Sequence, residues 1–589
     1  MNRNVESHFS TLPSADISRS IMDRSSGHKT SFNVGDLIPL YVDEILPGDS
    51  VKITTSKVVR LQTLLTPIMD NVYLDTYWFF VPNRLCWEHW KEFCGENTAS
   101  AWAPTTQYQI PSIKSPVGGW KPNTLADYMG IPVNVPMTTG KHLPSALPFR
   151  GYALIANEFF RDENLSDPLN IPLGDADQQG SNGDNYITDV VNGGKPFKAA
   201  KYHDYFTSCM PQPTKGRPPE ISIGGATFPA GDYPVYSKAE VNDMSSLYPG
   251  DKTALLNGDN SLKMFTGFFS NYPNSEFSPM FMYKSSHNAG GLQEDDAVSI
   301  MRQTPGQSQN SFPDADMTPL YPANLYAKMP EMNLTSDGAI SINELRLAFA
   351  AQRFLERNAR GGSRYVELLL SHFGVRSPDA RLQRPEYLGG NRVPLQIHSV
   401  NNTSQSDKDF LGDLGANSVT ADVHFDVNKS FTEHGYLYCL GVVRYDHTYA
   451  NGLNKMWFRK SLYDFYWPVF ANLGEMPVYS DELYFDETMS EDVFGYQEAW
   501  AEYRYKPSIV TSEMRPQVPN SLASWHLADN YSSAPTLSDG WIREDKTNVD
   551  RVLAVGSSVS NQVFGDFYFK AIYTRPMPMY SIPGLIDHN

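Results

Sequence analysis

A chain of 589 residues with a formal charge of −18 and 41% hydrophobic residues can hold roughly two to four ordinary domains, fewer if the units are all-β. That charge excludes a protein that engages nucleic acid through its overall field. Four cysteines (Cys86, Cys94, Cys209, Cys439) fit free thiols and exclude a disulfide framework or a metal-binding spacing. No apolar run reaches membrane-spanning length and no signal-peptide core opens the chain, so a soluble intracellular product is expected.

Residues 1–35 are polar, with Arg3, Arg19, Arg24 and Lys29 among Ser and Thr, and read as an N-terminal arm without a core of its own. Strand signals begin at Leu37–Leu46, closed by Pro47-Gly48-Asp49, a turn that combines a fixed φ with a residue free to take positive φ. Val51–Leu65 then alternates, Val51, Ile53 and Thr55 against Lys52, Thr54 and Ser56. Val72–Val81 is apolar on both faces, which predicts a strand covered on both sides. Three strands followed by a long excursion suit the start of a Greek key or jelly roll. In 84–160 the aromatic residues Trp87, Trp90, Phe93 and Trp102 lack interleaved basic residues. They read as packing rather than as a base-stacking surface, and residues 150–160 read as a helix.

The middle changes character, being rich in Gly, Asn, Asp, Ser and Pro. Residues 151–330 hold 21 carboxylates against 12 Lys plus Arg, half of the chain's negative charge. A loop region this long is functional or variable surface.

Residues 342–392 reverse the charge, with nine Arg, no Lys and five carboxylates. A capping box, Ser341 with Glu344 flanked by Ile340 and Leu345, predicts a helix over 342–360 that Gly361-Gly362 stops. On that helix Arg346, Arg353, Arg357 and Arg360 share an arc of about 60°, opposite Leu347, Phe354 and Leu355. The stripe is a solvated face, a set of partners for carboxylates on a neighbouring subunit, or a phosphate contact. Arg suits each, because its planar fork pairs with carboxylate and phosphate alike. A second helix, Tyr365–Phe373, stops at Gly374. Strands resume at 422–426 and 435–445, with further β-like runs at 498–505 and 564–574, the last placed to pair with the early strands and close a sandwich. The tail leaves through Pro576, Pro578 and Pro583.

Motif by motif, the chain carries no phosphate-binding loop, no H-E-x-x-H and no G-x-S-x-G elbow. Its 13 His lack paired metal spacing. No catalytic residue, metal ligand or cofactor is assigned, and no enzyme is expected. Plentiful carboxylates leave a carbohydrate-binding or hydrolysing β-sandwich as the alternative. A host tail or fimbrial subunit is a further possibility.

The run GGSRYVELLLSHFGV with SPDARLQRPEYLGG, the block HKTSFNVGDLIPLYVDEILPGD (28–49), PIMDNVYLDTYWFFVPNRL (67–85) and TRPMPMYSIPGLIDHN (574–589) together resemble the major capsid proteins of the Microviridae, gokushovirus branch. The resemblance fades between about 195 and 325. It implies a mainly β fold, an eight-stranded antiparallel jelly roll with long loop insertions and a few helices. The divisions expected are an arm at 1–35, the first part of the jelly roll at 36–165, an acidic surface insertion at 166–330 like a threefold protrusion, and the remaining strands and C-terminal arm at 331–589. Motif residues Arg364, His372, Arg381, Arg384, Pro385 and Tyr387 would be structural. It further implies sixty copies forming a T=1 shell around circular single-stranded DNA and presenting the host-attachment surface. The implied partners are a small basic DNA-binding protein, scaffolding and pilot proteins and a host-surface receptor, without membrane insertion. Assembly would take place in the bacterial cytoplasm and the product would reside in the virion capsid.

Overall fold

Alternation and apolar runs become two packed antiparallel sheets in a computed structural model of the chain. It describes residues 18–97, 106–139, 142–216, 342–362, 364–403, 411, 412, 414–486 and 492–580, with the backbone of five short strands between 235 and 327. The strands that build the sandwich are β1 (Ser20–Asp23), β2 (Ser26–Phe32), β3 (Ile38–Ile45), β4 (Ser50–Leu61), β5 (Val72–Pro82), β6 (Glu386–Pro394), β7 (Thr420–Ser430), β8 (Gly435–Tyr445) and β9 (Val563–Arg575).

The first sheet runs β1/β2–β9–β4–β7, with β1 and β2 sharing one edge of β9. The second runs β6–β5–β8–β3. Successive strands from β2 to β5 alternate between the sheets, as do β6 to β9, with β5 and β6 neighbours in the second sheet. This gives the eight strand positions of a jelly roll, closed when β9 inserts between the first strands and β4. The turn after β3 works as its sequence predicts: Gly48 has φ +89°, and the buried Asp49 accepts from the Leu46 amide at 3.0 Å and pairs with Arg575 at 3.0 Å.

Two readings of the sequence need correction. Residues 20–32 are not only an arm; they form the first strands of the sandwich. Their polar side chains hide this because pairing with β9 runs through the backbone, Ser26↔Phe569 to Phe32↔Val563. Residues 498–505 are not a strand. Trp500 takes φ +63°, which ends a short strand at Gln497 and starts a helical turn, Ala501–Arg504.

A first apolar cluster fills the space between the sheets, including Ile53, Trp78, Leu437, Phe567, Phe569 and Tyr573. A second coats the far side of the second sheet, where helix α1 (Leu147–Ile155), the π-helical turn Ala156–Phe160 and loops from the excursion after β5 pack on Phe79, Tyr438, Leu440 and Val442. Leu169, Val190, Val191 and Phe197 join that layer, so residues 166–216, grouped by composition with the acidic insertion, help to cover the sandwich. A third cluster gathers Tyr205, Phe206, Tyr449, Leu483 and Phe494. Residues 220–349 make a separate compact unit. In it Phe281–Lys284 pairs with Ala297–Ser299 and Leu320–Pro322, and Val235–Ser237 pairs with Leu325–Ala327.

Candidate functional site

The basic block forms a helix pair, α2 (Ile342–Gly361) and α3 (Tyr365–Phe373). Gly362 at φ +85° and Gly374 at φ +69° stop them, as left-handed caps require. Ile340 and Ser341 of the expected capping box lie outside the described residues. Arg346, Arg353, Arg357 and Arg360 are all exposed. Arg360 pairs with the side chain of Glu475, whose carboxylate is fully buried and is pushed up by that burial. Among the described residues, Arg353 and Arg357 have no carboxylate partner. The apolar flank of α2 is also open: Leu347 is 71% and Phe354 54% exposed.

The motif residues of the block lash these helices to the sandwich. His372 meets the Asn358 side-chain oxygen at 2.6 Å and stacks on Phe354 at 4.7 Å, pinning α3 to α2. Arg364 donates to the carbonyls of Asn157 and Arg161 at 3.0 and 2.9 Å and pairs with Glu163 at 3.3 Å, tying α3 to the end of the α1 segment. Arg384 lies over the Phe159 ring at 4.2 Å and pairs with Asp379 at 3.4 Å. Pro385 is buried, and Tyr387 packs on Phe79 at 5.4 Å. Arg381 is exposed.

Between these elements lies a cleft of about 680 Å³ whose floor sequence reasoning missed. Asp75 on β5, 2% exposed, accepts from Arg392 at 2.8 Å, Arg444 at 2.5 Å and Tyr202 at 2.7 Å. The Tyr202 ring is held between the two guanidiniums, at 4.2 and 4.3 Å. Burial works against the charge of Asp75, but the two arginines outweigh it and lower its pKa. Pairing of this kind satisfies the charges of Asp75, Arg392 and Arg444 mutually, and it fastens β5, β6, β8 and the loop of Tyr202 together. The signal lay in widely separated positions (75, 202, 392, 444), which no local spacing reveals.

A second buried network ties the end of β8 to loops on either side of it. His447, just after β8, meets Asp529 and Glu544 at 3.1 Å each, and Lys201 pairs with Asp529 at 3.2 Å. Among the described residues no group of three or more His, Cys, Asp or Glu is arranged to hold a metal ion, and no helix is long and apolar enough to cross a membrane.

Comparison with known proteins decides what such a fastened sandwich is. Residues 10–585 match the phage family described as "Capsid protein (F protein)". The chain belongs to that family. Among its capsid relatives, it is 40% identical to "Capsid protein VP1" of Spiroplasma virus 4, over 95% of this chain and 94% of that one. It is 37% identical to "Capsid protein VP1" of Chlamydia phage 1 and 36% to that of Bdellovibrio phage phiMH2K, each over 99% of this chain and 98% of the relative. As a phage capsid protein the chain is a structural subunit of the virion and not an enzyme, and the resemblance to the Microviridae read from its motif blocks holds along its length.

Proposed function

We propose that sixty copies of this capsid subunit close a T=1 icosahedral shell around circular single-stranded DNA. The observation that carries this is the jelly roll itself, with exposed apolar surface and exposed guanidiniums left over after its own core is complete. Many repeated contacts of modest strength then sum to a stable closed shell. Assembly takes place in the bacterial cytoplasm with the phage's scaffolding and pilot proteins. The part of the acidic insertion beyond residues 166–216, which cover the sandwich, faces outward and presents the receptor-binding surface.

A subunit at −18, repeated sixty times, cannot neutralise its DNA. A small basic protein therefore enters with the genome, and Arg346, Arg353, Arg357 and Arg360 serve as local contacts to phosphate or to carboxylates of a neighbour. Electron microscopy and sedimentation of the expressed chain, with the phage's other structural proteins present, should show closed spheres of megadalton mass. A persistent monomer overturns the reading. Exchanging Arg353 and Arg357 for Glu should lower particle yield or DNA content with unchanged subunit folding; unchanged yield and content would remove the stripe from the account.

A further inference from the structure

Residues 455–473 carry a surface that the sandwich does not use. Nine apolar side chains between Met456 and Leu473 are large and exposed, from Tyr466 at 44% to Val469 at 88%. Summed over the nine residues, on the order of 1,000 Å² stands in the open within a stretch of 18 residues, where exposed large apolar side chains usually occur singly. The segment is not loose chain. Lys455 donates to the Pro477 carbonyl at 2.7 Å, the Trp467 indole to the Leu462 carbonyl at 3.1 Å, and the Trp500 indole to the Phe470 carbonyl at 2.9 Å. The Asp464 carboxylate accepts from the amides of Lys460 and Ser461 at 2.7 Å. A surface held in place before contact loses little freedom on binding.

We infer that this surface is the apolar centre of a contact with a second copy of the chain, bordered at one end by Arg353, Arg357 and Arg360 of α2. The inference rests on the shell reading above and names where one of its seams lies. Arg360 of the stripe pairs with Glu475, two residues past the segment, so the end of the stripe lies beside the end of the apolar stretch. An apolar, aromatic-rich centre with Arg at its border is the composition of a protein interface. The summed open area is large enough to supply the ~800 Å² per partner that a stable contact buries. A copy of a chain at −18 brings an excess of carboxylates to meet Arg353 and Arg357. DNA fits less well. Val469, Leu462 and Leu473 cannot stack on bases, and of the local cations Arg459 is already paired with Glu502 at 3.3 Å and stacked on Tyr503 at 4.1 Å.

The test compares hydrogen exchange of residues 456–473 in free subunits, in DNA-free closed particles and in DNA-filled particles. Slowed exchange in both kinds of particle supports the seam. Slowing only in filled particles assigns the surface to DNA and overturns it, as does slowing that requires another phage protein. Closed particles with unslowed exchange overturn the seam and leave the shell reading standing, whereas absence of closed particles overturns both. A double variant, Trp457→Asp with Val469→Asp, changes side chains that are 66% and 88% exposed and should keep the circular dichroism and melting of the free subunit. Its closed-particle yield should fall by about tenfold or more, the scale of a lost hot-spot contact. Normal yield from a folded variant would overturn the seam.

Discussion

The two sheets share one core yet meet different surroundings on their outer faces. In the first sheet β9 alternates without interruption: Phe567, Phe569, Ala571 and Tyr573 are fully buried, while Phe564, Asp566, Tyr568 and Lys570 point outward. In the second sheet β8 is buried on both sides, with Leu437, Cys439 and Val443 toward the sandwich and Tyr438, Leu440 and Val442 under α1. The cover comes from the excursion after β5, which a jelly roll alone does not need. One sheet is locked beneath a thick layer that also anchors the α2–α3 pair, while among the described residues the other leaves its outer face exposed.

The comparison breaks first at Tyr438. Its side chain is fully buried and its hydroxyl donates to the Pro148 carbonyl at 2.9 Å. Tyr438→Ala should destabilise the isolated subunit by about 3–5 kcal/mol in denaturant unfolding, the range for losing a large aromatic from a core. A loss near zero would mean that the α1 layer is not packed on this sheet.

Gly151 sharpens the same point from the other side of the contact. A Cβ there would run into the Tyr438 hydroxyl oxygen. Ala raises helix propensity by about 1 kcal/mol over Gly, but overpacking costs about 1–3 kcal/mol and displaces the Pro148 hydrogen bond as well. Gly151→Ala should therefore lower the melting temperature, and adding Tyr438→Phe should recover part of the loss by removing the clashing oxygen.

At the end of β8, the His447 network should make stability fall in alkali. Burial alone would lower the imidazole pKa, but Glu544 and Asp529 outweigh it and raise the pKa from 6.5 to about 9. A protonated His447 with Lys201 balances the two carboxylates, while Tyr445 and Tyr531 face the site as neutral phenols. The stabilisation is fully present below pH 6.5 and is lost as pH rises through about 9. Asp529 is held below its ordinary 3.8, against its own burial, by His447 and Lys201, so its share is lost only in acid. Melting temperature measured from pH 7 to 10 should drop in the native chain and change less in His447→Gln.

Much of this was legible because burial writes a period into sequence. The alternation of β4 and β9 and the two-sided apolar run of β5 predicted their places correctly, and Gly374 marked the end of α3 to the residue. β1 and β2 were illegible because an edge strand with sequence SGHKTSF needs only its backbone to pair. EAWAEYRY misled because its apolar residues fall in a strand-like pattern, while the left-handed Trp500 that sets the true course leaves no compositional trace. The stripe of arginines was visible as a stripe. The openness of the apolar flank beside it, and of residues 456–473, was not, since a helix or loop rich in Leu, Phe and Trp reads the same whether its partner is its own core or another molecule.

The smallest effect belongs to the open face of the first sheet. Tyr568 stands on β9, where Tyr438 stands on β8, and it is 49% exposed. Removing it exposes no cavity, because its outer side already meets water, and β9 keeps its backbone pairing with β2 and β4. Tyr568→Ala should change the unfolding free energy of the free subunit by no more than about 0.5 kcal/mol. A loss approaching that of Tyr438→Ala would mean that some other part of the chain covers this face, and the asymmetry between the sheets would vanish. If the free subunit is indifferent but closed particles carrying Tyr568→Ala lose DNA or dissociate at lower temperature, the open face is where the particle, rather than the subunit, makes its contacts.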